Sequence, residues 1–131
     1  MEGKLIENIR LENGLIVQMF DLSRHVAGDR WQVSFEARIE VKVKPEYFFA
    51  HNPPTVPFEN IRSILGEKTT FRYKKERNFI EGEKKDAVLN GLKERFLETS
   101  LGYLSSPEFH LKLILKRYQD AYSEIFSRKE Q

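Results

Sequence analysis

The residues best equipped for chemistry lie in one short stretch. Asp21, Ser23, Arg24, His25, Asp29 and Arg30 run up to Trp31. They include a hydroxyl, an imidazole, two carboxylates and two guanidiniums, the groups from which a nucleophile, a base and an acid are assembled. The stretch lacks the G-x-S-x-G pattern that sets a serine on a sharp strand-to-helix turn. A structural reading needs fewer coincidences. In a hairpin connection, Asp21 and Ser23 would satisfy loop amides, while Arg24 and Arg30 would pair with carboxylates. An enzyme or small-ligand site over residues 21–31 is therefore kept as an alternative, and catalysis is not expected.

Other chemistry is thinner. His25, His51 and His110 are isolated, without H-x-H or H-x-x-x-H spacing, so no metal site is expected. The seven glycines form neither a P-loop nor a G-x-G-x-x-G fingerprint, and no cofactor is expected. The segment 68–77 places five Lys/Arg around Phe71 and Tyr73, with Glu76 as its one acid. RNA-binding sheets stack bases on rings and meet phosphates with cations. Arg72, Lys74, Lys75 and Arg77 are accordingly candidate nucleic-acid contacts, although the segment lacks the glycines of the RRM consensus.

Strands and helices must position these groups, and one strand dominates. From Trp31 to Lys44 every odd position is apolar and every even position is polar. Such alternation marks a half-buried antiparallel strand. It predicts that Phe35 is buried and that the even row, including Ser34, Glu36, Arg38, Glu40, Lys42 and Lys44, is solvated. On that reading Phe35→Asp unfolds the domain and Ser34→Asp is nearly silent. At the usual rise the strand would span roughly 46 Å, long for a chain of this size. It is therefore expected to bend or to reach towards a partner.

Before it, residues 4–12 and 15–22 read as two strands joined at Asn13-Gly14, a pair suited to a two-residue type I′ turn. That register would place Leu11 opposite Ile16 and Ile9 opposite Gln18. The second strand is then apolar on both faces. Val17 and Met19 become candidate interface residues, together with Tyr47, Phe48 and Phe49 of the proline-rich loop 45–58. Residues 23–30 read as a connection. After the loop, 58–65 reads as a short helix ended by Gly66, 69–77 as a possible fourth strand, and 83–104 and 107–128 as two long helices.

The predicted fold class is α+β: an antiparallel meander sheet of three or four strands with helices on one face, forming a single domain over 1–131. Composition agrees, with 40% hydrophobic and 32% charged residues and a net charge of +2. That charge is too small to argue for a polyanion by itself. Absence of cysteine and of an apolar leader suits a reducing, cytoplasmic setting, and no membrane span is expected. The expected function is a non-enzymatic binding or assembly module, a homodimer or a partner of another protein. A weak single-stranded RNA binder acting through 68–77 is the main alternative.

Overall fold

A computed structural model describes residues 3–48 and 57–130, with side chains described for 3–46 and 57–125. The fold is α+β: a five-stranded antiparallel sheet, a short helix and two long C-terminal helices. The strands are β1 (Lys4–Arg10), β2 (Ile16–Asp21), β3 (Arg24–Ala27), β4 (Arg30–Lys42) and β5 (Lys68–Glu81). The α-helices are α1 (Phe58–Leu65), α2 (Lys85–Leu104) and α3 (Phe109–Glu130). Two compact units divide the chain: Met1–Ile39 with Arg72–Ser106, and Glu40–Phe71 with Pro107–Gln131.

In the first unit the sheet is organised on β4. Its Asp21↔Phe35 pairing with β2 and its Arg24↔Gln32 pairing with β3 share one register, and Leu22 N–H donates to Ser34 O between them. β2 and β3 therefore lie end to end along one edge of β4. β5 takes the other edge, where Gly82 N–H donates to Asp29 O and Gln32 meets Asn78. The connection expected over 23–30 is thus mostly strand, and it turns back at Gly28, whose φ is +54°. Both edges of β4 are thus paired within this chain.

The first hairpin differs from expectation by one residue. Leu11 N–H donates to Leu15 O and Gly14 N–H to Leu11 O, leaving a three-residue loop with Gly14 at φ +90°. This is the three-residue connection in which a left-handed glycine follows a type I turn, rather than a type I′ pair. Asn13 is needed elsewhere. Its amide donates to Leu104 O and Ser106 O at the end of α2, and its Oδ1 accepts from Leu15 N–H. The register becomes Ile9↔Val17 and Glu7↔Met19. A one-residue slip exchanges the faces of a strand, so Ile9 and Glu7 of β1 now share the face of Val17 and Met19. That face is the core face, because β2 pairs with β4 as Val17↔Ile39 and Met19↔Ala37, and both residues are fully buried. They are core residues of this chain, which corrects their expected place at an interface.

The odd face of β4 is the core face. Val33, Phe35, Ala37 and Ile39 are fully buried, as is Phe96 of α2. The Phe96 ring lies 5.6 Å from Phe35 and 4.8 Å from Tyr73 of β5, while Lys93 pairs with Glu7 of β1 at 2.6 Å. Leu92, Phe96 and Leu104 face inward at helical spacing, as the apolar stripe predicted.

The even face of β4 departs from expectation at its centre. Ser34 is 1% exposed and Glu36 7% exposed. Leu22 and Phe20, their neighbours across β2, supply apolar cover that an alternation pattern within one strand does not reveal. Ser34 Oγ is buried without a hydrogen-bond partner. Ser34→Asp, read from sequence as nearly silent, is therefore expected to destabilise by at least about 2 kcal/mol, because a second carboxylate enters a dry site beside Glu36. Ser34→Ala is expected to stay within about 0.5 kcal/mol of wild type or above it, since it removes an unsatisfied hydroxyl. Urea midpoints of the two variants measure the contrast.

In the second unit the end of β4 and the start of β5 are joined by Val43 N–H donating to Glu67 O at 2.8 Å. A 3-10 turn spans Pro45–Phe48. The aromatic loop beyond it, with Phe49, lies outside the described residues, as do the side chains of Tyr47 and Phe48. α1 has the predicted bounds and ends at Gly66, φ +81°, whose N–H caps Arg62 O. α3 contacts α1, packs Phe109 edge-on against Phe71 at 5.6 Å, and directs Arg117 to Thr70 O.

His110 on α3 has a pKa held below 6.5 by burial. A hydrogen bond to the Pro107 carbonyl opposes the shift, and the positive charge of Lys44 adds to it. The unfolded chain takes up that proton near 6.5 while the fold resists it. Stability is therefore full above pH 6.5 and lost as pH falls from there towards the lowered folded value. Thermal melts from about pH 7.5 to about pH 5.5 should show this loss in wild type and a flatter profile in His110→Gln.

Candidate functional site

The pleat of the sheet sorts the polar residues of 21–31 onto opposite faces. Asp21 Oδ1 accepts from Ser23 N–H at 2.8 Å, and Ser23 Oγ accepts from Ser34 N–H at 3.0 Å. Those two side chains hold the junction where β2 passes into β3. Arg24 points to the outer face, donating to Gln32, which in turn donates to Asn78 of β5. His25 points the other way. Its ring meets Trp31 edge-on at 5.4 Å and bonds to Gly28 O. Asp29 O accepts from Gly82 N–H, and a Cβ on Gly82 would stand 2.6 Å from Asp29 Oδ1. Arg30 approaches Glu81 at 3.8 Å. Arg24 and His25 are thus separated by the sheet, and the hydroxyl, imidazole and carboxylates do not converge on a common point. Each has a local structural partner.

The same alternation divides the basic segment of β5. Arg72 and Lys74 lie on the outer face, Arg72 3.6 Å from Glu36 and Lys74 3.9 Å from Glu76. Lys75 shares the face of Tyr73, its Nζ 5.8 Å from that ring, and Arg77 bonds the Glu76 carbonyl. The four expected nucleic-acid contacts are therefore two on each side. The sequence reading named Arg24 within 21–31 and Arg38 within the even row of 31–44, but did not join either to the cations of 68–77, with which they share the outer face. No signal in the turn could have joined them: a two-residue turn at Gly28-Asp29 pairs odd with even, as Ala27↔Arg30 does, and only the register shift between His25 and Ala27 sets Arg24 opposite Gln32, on the face of Arg38.

The outer face of the first unit is the one opposite α2, and its centre is a short electrostatic network. Glu36 accepts from Arg38 and lies 3.6 Å from Arg72, while the Arg38 guanidinium stacks 4.2 Å from the Phe20 ring centroid. A mostly buried carboxylate between two arginines fixes their positions and leaves their outward edges on the surface.

At the end of this face near the β3–β4 turn lies the one non-glycine residue with positive φ among the described residues. Phe79 has φ +57° and is 75% exposed. A bulky side chain in the left-handed region is strained, and an exposed phenyl gains no burial in return. It lines a small cavity of about 100 Å³ with Asn78, Val26, Arg24 and Gln32. Consecutive residues Asn78 and Phe79 thus meet the same cavity, which a regular strand does not permit. Strain that persists at an exposed site motivates a functional hypothesis.

Among the described residues no group of three or more His, Asp or Glu is placed to hold a metal, and no helix is long and apolar enough to cross a membrane. Compared with known proteins, the chain matches no family model, no curated protein and no solved structure.

Proposed function

We propose that this protein is a non-enzymatic binding module whose ligand is single-stranded nucleic acid, held on the outer face of the first unit's sheet. The observation that carries the reading is the exposed, strained Phe79 beside Arg24, with Arg72 and Lys74 further along the same face. An exposed ring offers a stacking platform for a base, and the cations offer phosphate contacts at strand spacing. The net charge of +2 implies modest affinity.

Anisotropy of a labelled mixed-sequence RNA 12-mer, titrated at low salt and then across a salt series, tests the reading. Log affinity should fall linearly with log salt, with a slope of about −0.7 per phosphate contacted. Arg72→Ala with Lys74→Ala should flatten that slope by about 1.4, whereas Phe79→Ala should weaken binding and leave the slope unchanged. No measurable binding at low salt would remove the proposal.

Self-association is the second reading, and one observation favours it. Val26 and Phe79 form an exposed apolar pair on the shared cavity, a patch that an isologous contact could cover. Sedimentation at high concentration should then give a dimer for wild type and a monomer for Phe79→Asp.

A further inference from the structure

β5 pairs with β4 along one edge, and among the described residues no strand pairs with its other edge. Every residue from Lys74 to Phe79 is exposed. Neighbours in a strand point to opposite sides, so consecutive exposure means that both faces are uncovered there. The backbone at the free edge alternates N–H and C=O groups, the template on which a further strand pairs. The positive φ of Phe79 ends the regular run. The usable edge is therefore 72–78, which lies wholly within the first unit.

Charge decides which strand this edge accepts. Residues 72–77 hold Arg72, Lys74, Lys75 and Arg77 against Glu76 alone. Arg72 is engaged by Glu36 on the outer face, and Lys74 by Glu76 at 3.9 Å. Lys75 and Arg77 stand two apart, hence on one face, and both are exposed. Their side chains meet the Tyr73 ring and the Glu76 carbonyl, and among the described residues no carboxylate lies within ion-pair distance of either. Cations along an edge turn away neutral and basic strands, whereas opposite charges facing each other across a ladder attract. A nucleic-acid backbone lacks the alternating donors and acceptors that a strand edge pairs with, so the edge favours a peptide. We infer that the free edge of β5 receives an acidic, extended peptide segment of a partner protein as an added strand, with carboxylates at alternate positions facing Lys75 and Arg77. The outer-face cations proposed for nucleic acid are not used here, and the inference does not rest on that reading.

Titration of the full chain with three capped octapeptides, followed by amide NMR and hydrogen exchange, tests it. One alternates threonine with glutamate, one alternates threonine with lysine, and one alternates proline with glutamate. The proline peptide keeps the acidic charge but loses N–H groups that a ladder needs. Saturable shifts and slowed amide exchange at residues 72–77 are expected with the threonine–glutamate peptide alone. Lys75→Glu with Arg77→Glu should weaken it by about tenfold or more, the scale of two cross-strand pairs turned from attraction to repulsion. Because both residues are exposed, the thermal midpoint of that variant should stay at the wild-type value. Arg72→Ala with Lys74→Ala should bind the peptide within about threefold of wild type at physiological salt, even if RNA binding is lost. Four outcomes would overturn the inference: no saturable shift at about 1 mM peptide, equal binding of the proline peptide, unchanged binding by the doubly reversed variant, or shifts at 75–77 with the RNA 12-mer in place of the peptide.

Discussion

Phe35→Asp is expected to leave no cooperatively folded protein at room temperature. Phe35 is fully buried at the centre of β4, its ring 5.6 Å from Phe96 and 6.3 Å from Tyr73. Truncating such a side chain to alanine costs about 3–5 kcal/mol, from lost transfer free energy and the cavity left behind. A domain of ordinary stability has about 5–15 kcal/mol in all. Phe35→Ala should therefore remain folded but melt far below wild type. Aspartate adds a charge to a site that is fully buried, and the combined cost exceeds the total. Phe35→Leu keeps most of the apolar volume and should cost the least of the three. Near-UV circular dichroism and urea titration order the variants. A cooperative melt of Phe35→Asp close to wild type would show that the core face of β4 is assigned wrongly.

Glu36→Ala is expected to be the most damaging substitution on the outer face, at about 3 kcal/mol. Its carboxylate bonds Arg38, whose side chain is only a fifth exposed, and stands 3.6 Å from Arg72. Removing it leaves the Arg38 charge against Phe20 without its counter-ion. The estimate sits at the low end for a broken buried pair because Arg38 still reaches water. Arg72 is more than half exposed, so Arg72→Ala should cost under about 1 kcal/mol. Replacing both partners, Glu36→Met with Arg38→Met, should be less destabilising than the two single changes added together, since neither charge is then stranded. Urea unfolding of this double-mutant cycle gives the coupling directly. Strict additivity would mean that the two side chains do not depend on each other in the fold.

Much of the architecture follows from local pattern. The unbroken alternation of 31–44 gave β4 and its buried odd face. Gly66 gave the end of α1, and the 92–96–104 spacing gave the inward stripe of α2. These features depend on period and cap chemistry within one element, so the sequence alone determined them. Pairing between elements was decided only in three dimensions. Asn13-Gly14 suits more than one turn, and the choice lay with the Asn13 amide, which bonds carbonyls at the distant end of α2. That choice moved the β1–β2 register by one residue, while the pairing of β2 with β4, Val17↔Ile39 and Met19↔Ala37, placed Val17 and Met19 in the core rather than at the expected interface. Ser34 and Glu36 are buried because Leu22 and Phe20 lie across from them, a fact of pairing rather than of their own strand. The candidate sites divide likewise. The residue types over 21–31 and 68–77 were plain to read. Which of them share a surface was not, because a pleated sheet sends neighbours in sequence to opposite faces and gathers Arg24, Arg38 and Arg72 from three strands onto one.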